Sequence, residues 1–222
     1  KLEICSGGKA EKAKGEGQMN LKPQAGPQEK AVRCNFVDEL FFAGGRGSGK
    51  SFILCYMFLM GVEKYGEHWK GVLFRRTYPE LDEIIDLTRK MYREFYPDAE
   101  YKVGSHTWVF PNGATLKLRH IENEIDADHY QGMSFSYIAF DELGSFNDLK
   151  AYNKLKACLR SGGADVPDKK IVSSGNPGGP NHQNIKKYFI DPAPEGTVIE
   201  GEDVMSRMYI RSLVTDNKIL LD

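Results

Sequence analysis

Apolar residues fall along this chain in short continuous runs separated by polar, glycine-containing stretches. Leu40-Phe41-Phe42-Ala43 is one such run, of the length of a buried parallel strand, and residues 52–60 are almost wholly apolar, as in a buried helix. Gly71-Val72-Leu73-Phe74-Arg75-Arg76 predicts a second strand, and Pro79-Glu80-Leu81 the first turn of a helix, where proline is tolerated. Ile84, Ile85, Leu87, Met91 and Tyr92 give that helix its apolar face. Residues 107–110 and 114–118 flank Pro111-Asn112-Gly113 and predict a hairpin. Tyr137-Ile138-Ala139-Phe140 predicts a third core strand, 149–159 a helix ending before Gly162-Gly163, 170–174 a fourth strand and 206–211 a fifth. A short helix is expected over 27–32, ahead of the first strand. Strands alternating with helices specify an α/β domain with a mostly parallel sheet and right-handed crossovers.

Between the first strand and the apolar helix lies Gly44-Gly45-Arg46-Gly47-Ser48-Gly49-Lys50-Ser51, which fits G-x-x-x-x-G-K-[ST] at every fixed position. Strand, glycine loop and helix form a phosphate-binding arrangement. The glycines let backbone N–H groups of Gly45, Gly47, Ser48 and Gly49 turn inward around a polyphosphate, and the helix N-terminus adds partial positive charge. Lys50 reaches the β- and γ-phosphates of ATP in this pattern, and the Ser51 hydroxyl ligates Mg²⁺. Asp141 follows an apolar strand, the setting of a second magnesium-holding group. Glu142 beside it can orient and deprotonate an attacking water. Arg46 reads as a cation for the γ-phosphate, against a solvated arginine as the competing reading. Arg75 and Arg76 end the second strand at the same edge, and alternation allows one of them to face the nucleotide as a sensor. Ser174-Gly175-Asn176 ends the fourth strand, so Asn176 can touch the γ-phosphate or the water. A plain turn before Pro177 is the alternative.

Composition narrows the picture. With 222 residues and a formal charge of −1, the chain has room for one α/β domain and some tail, and any DNA contact must come from a local patch. Cys5, Cys34, Cys55 and Cys158 are scattered with no metal spacing, so a reducing compartment and no structural zinc are expected. No signal peptide is expected, and the longest apolar run is about half a membrane span. Residues 1–27 are polar and glycine- and lysine-rich, and read as a flexible lead-in. Glu122, Glu124, Asp126 and Asp128, with His120 and His129, read as a solvated, mobile loop and not a metal site. Lys154, Lys156, Arg160, Lys169, Lys170, Lys186 and Lys187 read as mostly solvated, with a DNA-facing strip as the competing reading.

Taken together, these motifs resemble the ATPase domain of the large terminase subunit of tailed double-stranded DNA bacteriophages, over residues 24–222. Residues 44–51 resemble that family's Walker A, including its arginine at Arg46. Tyr130-Gln131-Gly132 and then 137–142 resemble its approach to Walker B, and Ser174-Gly175-Asn176 its coupling motif. Pro27-Gln28 is similar to its adenine-reading glutamine signature, with Gln24 as a competitor. The resemblance implies a P-loop NTPase of the additional-strand catalytic-glutamate type, with ATPase residues over 28–214. Residues 215–222 would then begin a linker to a nuclease domain, with no nuclease activity in this stretch. It also implies Mg²⁺-dependent ATP hydrolysis that pumps viral DNA into a capsid. The implied partners are double-stranded DNA, the portal protein, the small terminase subunit and further copies in a ring, in the host cytoplasm and away from membranes. The isolated domain is expected to be monomeric. One departure stands out: where some relatives carry a trans-acting arginine, this chain has Gln131, which leaves Arg119 as a candidate or Arg46 acting within the subunit. A helicase and a P-loop kinase are the rival readings.

Overall fold

A computed structural model describes residues 21–201 and 205–218. In chain order the elements are α1 (Pro27–Arg33), β1 (Glu39–Gly44), α2 (Lys50–Tyr65), β2 (Lys70–Arg75), α3 (Tyr78–Phe95), β3 (Glu100–Lys102), β4 (Thr107–Val109) and β5 (Thr115–His120). They continue with α4 (Glu124–Asp128), β6 (Tyr137–Phe140), α5 (Lys150–Lys156), β7 (Lys170–Gly175), α6 (His182–Ile185), β8 (Ile199–Glu200) and β9 (Ser206–Ser212). A wider π turn over Lys186–Ile190 prolongs α6.

The strands make one sheet in the order β3-β4-β5-β2-β6-β7-β1-β9-β8. From β5 to β9 every pairing is parallel, while β3, β4 and β8 add antiparallel edges. Because side chains alternate along a strand, the sheet feeds two cores. Leu40, Phe42, Leu73, Ala139 and Val172 pack with α2 and α3, and Phe41, Val72, Phe74, Ile138 and Ile171 pack with α5 and the π turn. The expected hairpin is present, with Gly113 N–H donating to Phe110 C=O at 2.9 Å. Its second strand, β5, goes further and pairs in parallel with β2 along Lys70–Arg75.

Helix α2 is apolar nearly all round because it is enclosed. Phe58 and Leu59 have no exposure, and the Trp69 indole N–H donates to Phe58 C=O at 2.8 Å. Gly61 lets that indole approach the helix, since a Cβ there would lie 2.1 Å from the ring. The start of α3 is fixed by a capping box in which Thr77 N–H donates to the Glu80 carboxylate at 3.2 Å.

Several sequence expectations are corrected. The helix expected over 149–159 stops at Lys156, because Phe135 N–H donates to Cys158 C=O and Arg160 N–H to Phe135 C=O, drawing 158–160 out as an extended segment. The acidic stretch is exposed, as expected, but it is not irregular throughout. It folds as α4, capped by the Asn123 side chain and tied to α5 by Lys154, whose ammonium is 2.5 Å from Asp128. Two of the supposedly solvated lysines are turned inward. Lys156 lies 2.7 Å from the fully buried Glu39, and Lys170 donates to Asn35 C=O from a site with 2% exposure. Of the expected lead-in, 1–20 lie outside the described residues, and 21–27 include Gln24, which is pinned to the body as described below. Among the described residues no helix is long and apolar enough to cross a membrane.

Candidate nucleotide site

Three loops at the carboxyl ends of adjacent parallel strands meet at one point, where ligands of open α/β sheets bind. They follow β1, β6 and β7, which are neighbours in the sheet although far apart in sequence.

The loop after β1 turns through left-handed glycines, Gly47 at φ 81° and Gly49 at φ 78°, conformations that side chains resist. Gly44 is needed for a different reason, since a Cβ there would lie 2.4 Å from Ser212 C=O. Ser48 closes the turn by donating from its hydroxyl to Gly45 C=O at 2.8 Å. The first N–H groups of α2, from Lys50 onward, have no partner within the helix and point out of its start. Lys50 is buried, and its ammonium donates to Gly45 C=O at 2.9 Å and to Asn176 Oδ1 at 2.8 Å. The Glu142 carboxylate lies 3.4 Å from the same ammonium.

Asp141 is fully buried and saturated with donors. Its Oδ2 accepts from the Ser51 hydroxyl at 2.8 Å and from Arg75 Nε at 2.8 Å, while Oδ1 accepts from the Ser174 hydroxyl at 2.5 Å. Ser174 in turn accepts from Glu142 N–H at 3.0 Å. That bond helps hold Glu142 in the left-handed backbone region, φ 57°, which a glutamate adopts only under constraint. The carboxylate is thereby aimed at Asn176, whose amide donates to it at 2.8 Å.

Lys50, Ser51, Asp141, Glu142, Ser174 and Asn176 are thus brought together. Of the two arginines, Arg75 turns into the site, with Nη2 2.6 Å from Asp141, and Arg76 turns away to donate to Ser145 C=O at 2.7 Å. Arg46 is exposed on the loop. Arg119 is held within its own subunit by Ser105 C=O at 2.9 Å and Leu118 C=O at 2.8 Å, and Gln131 donates to Asp128 at 2.8 Å. Gln28 is buried against the phosphate loop: a Cβ on Gly49 would lie 2.2 Å from its amide nitrogen. Gln24 N–H donates to Gln28 Oε1 at 2.9 Å.

Sequence reasoning missed the role of the segment after β9. The Asn217 amide donates to Gly47 C=O at 2.6 Å and accepts from the Gln24 side chain at 2.6 Å, while the Ser212 hydroxyl donates to Ser48 C=O at 3.2 Å. Ser212 and Asn217 therefore buttress the phosphate loop. An asparagine after Thr215-Asp216 carries only a turn signal, so nothing local announced this contact.

The donor set suits a hard divalent cation. Ser51 and Asp141 offer adjacent oxygens, and among the described residues no cluster of three or more His, Cys, Asp or Glu side chains forms an all-protein cage. Magnesium that keeps several waters and binds substrate phosphates needs only one or two such protein oxygens.

A family model described as terminase large subunit, T4likevirus-type, N-terminal, matches residues 41–170. No curated protein sequence matches the chain. Among solved structures, the large terminase from a thermophilic bacteriophage superposes with a TM-score of 0.68 at 18% identity, over 89% of this chain and 47% of that one. The same terminase in complex with ATP-gamma-S gives 0.63 at 19% identity, over 88% of this chain and 46% of that one. The N-terminal domain of the DNA packaging ATPase from bacteriophage phi29 gives 0.56 at 16% identity, over 83% of this chain and 93% of that one. The chain spans about half the length of the thermophilic phage's terminase, and at these identities the likeness is one of fold. The matched family stretch, 41–170, covers more than half of the 222 residues and runs from β1 through the loop after β6 to the start of β7, so the chain belongs to the large-terminase family through its N-terminal domain.

Proposed function

We propose that this domain binds ATP and hydrolyses it to drive double-stranded viral DNA into a capsid. The observation that carries the reading is the Glu142 carboxylate, bonded to Asn176 at 2.8 Å and 3.4 Å from Lys50. A protein that only bound nucleotide has no need of a constrained carboxylate at this point.

In the reading, Lys50 releases Gly45 and Asn176 to hold the β- and γ-phosphates, and free backbone N–H groups of the loop cradle them. Ser51 and Asp141 would hold Mg²⁺, which supplies charge neutralisation at the phosphates. Glu142 takes the proton of the attacking water. Asn176, released from Lys50 and still bonded to Glu142, registers whether a terminal phosphate is present. Arg46 supplies further positive charge to that phosphate from the loop, and Arg75 acts through Asp141, holding its carboxylate in place. Gln28 reads the adenine, with Gln24 holding it in place.

We further propose DNA, the portal protein, the small terminase subunit and other copies in a ring as its partners, in the host cytoplasm. We assign the ATPase unit to 28–214 and the start of a linker to a nuclease domain to 215–222, of which 219–222 lie outside the described residues. The test is calorimetry of ATP binding to Lys50→Ala, with phosphate release measured alongside. Loss of binding and turnover is expected. Wild-type affinity would remove the loop from the site and the reading with it.

A further inference from the structure

On the face of the sheet covered by α5 and the π turn lies a cleft of about 390 Å³ whose polar lining differs from that of the nucleotide site. Lys150, Lys187 and Arg207 contribute three cations, and Asn153 and Asn184 two amides. The single carboxylate in the lining, Asp148, is 3.7 Å from Lys150 and offsets one of the charges. Among the described residues neither Lys187 nor Arg207 has an ion-pair partner.

Arg207 is the informative member. Its guanidinium lies 4.1 Å over the Tyr188 ring, which fixes its plane, and its buried Nε has no hydrogen-bond partner among the described residues. The carboxylate opposite it in register, Glu39, is already taken by Lys156 at 2.7 Å, by Tyr188 at 3.0 Å and by Tyr152. A guanidinium seated on an aromatic ring, in one lining with an exposed lysine and two amides, suits an oxyanion bearing several acceptors. A phosphate group meets that description, and a small apolar ligand does not.

The cleft is also mechanically joined to the nucleotide site. Asn181 is fully buried, and its amide donates to Leu143 C=O at 3.3 Å and to Asp148 C=O at 3.1 Å, spanning the turn that follows Glu142. Asn184, in the cleft lining, donates to Asn181 Oδ1 at 3.0 Å.

We infer that this cleft grips a backbone phosphate of double-stranded DNA. The assignment rests on the proposed packaging function for its choice of polymer, and the test separates the two. Binding of the 222-residue chain to a fluorescein-labelled duplex is followed by anisotropy over a range of salt, for wild type and for the double variant Lys150→Ala, Lys187→Ala, both at exposed positions. The variant should bind every sequence more weakly, with a salt slope shallower by about one, and keep wild-type ATP hydrolysis in the absence of DNA. In parallel, inorganic phosphate is titrated against the thermal stability of both proteins. Equal DNA affinity and slope in the two proteins overturns the inference. If phosphate at the same time stabilises only the wild type, the cleft is a free-anion site. A wild type that binds no duplex at all removes the proposed DNA partner, and this site with it.

Discussion

The Arg75 guanidinium lies 2.6 Å from the Asp141 carboxylate, and neither side chain has appreciable contact with water, at 9% and 0% exposure. The two groups come from the ends of neighbouring strands, β2 and β6, so the pair locks together the floor of the nucleotide site. Its neighbour Arg76, one residue on, bonds instead to a backbone carbonyl on the other side.

Removing one partner of a buried ion pair leaves the other charge uncompensated. Arg75→Met should therefore cost about 3–5 kcal/mol, read as a lower urea midpoint. Arg76→Ala should cost about 1 kcal/mol or less, the worth of one hydrogen bond at a half-exposed site. Equal losses from the two changes would contradict the burial difference.

Glu142 combines a chemical and a conformational demand. Glu142→Gln keeps the shape and the bond to Asn176, so ATP binding should persist while turnover falls by about 10²–10⁴, the worth of a positioned base. Glu142→Ile adds a backbone cost of roughly 1–3 kcal/mol, because a β-branched residue resists the left-handed region. A Gln variant turning over at near wild-type rate would take the base role from this residue, and an Ile variant as stable as the Gln one would remove the strain.

Asn217 ties the segment after β9 to the phosphate loop. Asn217→Ala gives up its bonds to Gly47 and Gln24, and should release that segment before the rest of the domain unfolds. Limited proteolysis should then cut beyond β9 faster than in the wild type, with the global stability in urea lowered by only about 0.5–1.5 kcal/mol. Unchanged cleavage would show that the anchor lies elsewhere.

Burial pushes the Lys170 ammonium down to about pH 8, although Asp168 and Asp38 oppose the shift. In the unfolded chain it titrates near 10.5. Below about pH 8 both states are protonated and the penalty is complete. Between the two values the unfolded chain binds more protons, so this group makes folding more favourable as pH rises, by at most about 1.4 kcal/mol per unit. Urea titrations at pH 7.5 and 9.5 should show that rise in the wild type and a smaller one in Lys170→Met. Identical pH dependence in the two proteins would mean that Lys170 reaches solvent.

The sequence by itself was enough for the phosphate loop, the strands that carry it and the Asp-Glu pair. Each of these is a local demand, whether glycine at left-handed positions, apolar runs of strand length, or acids at a strand end. It could not choose between Arg75 and Arg76, because alternation says only that they point opposite ways and the packing of β2 between β5 and β6 decides which way is inward. The fates of Lys156 and Lys170 were equally hidden, since a lysine looks solvated until a distant segment closes over it, here Glu39 in one case and Asn35 in the other. Asn217 on Gly47 spans 170 residues of chain. Contacts of that kind are fixed by the sheet order, which places β9 beside β1, and no spacing along the chain encodes them.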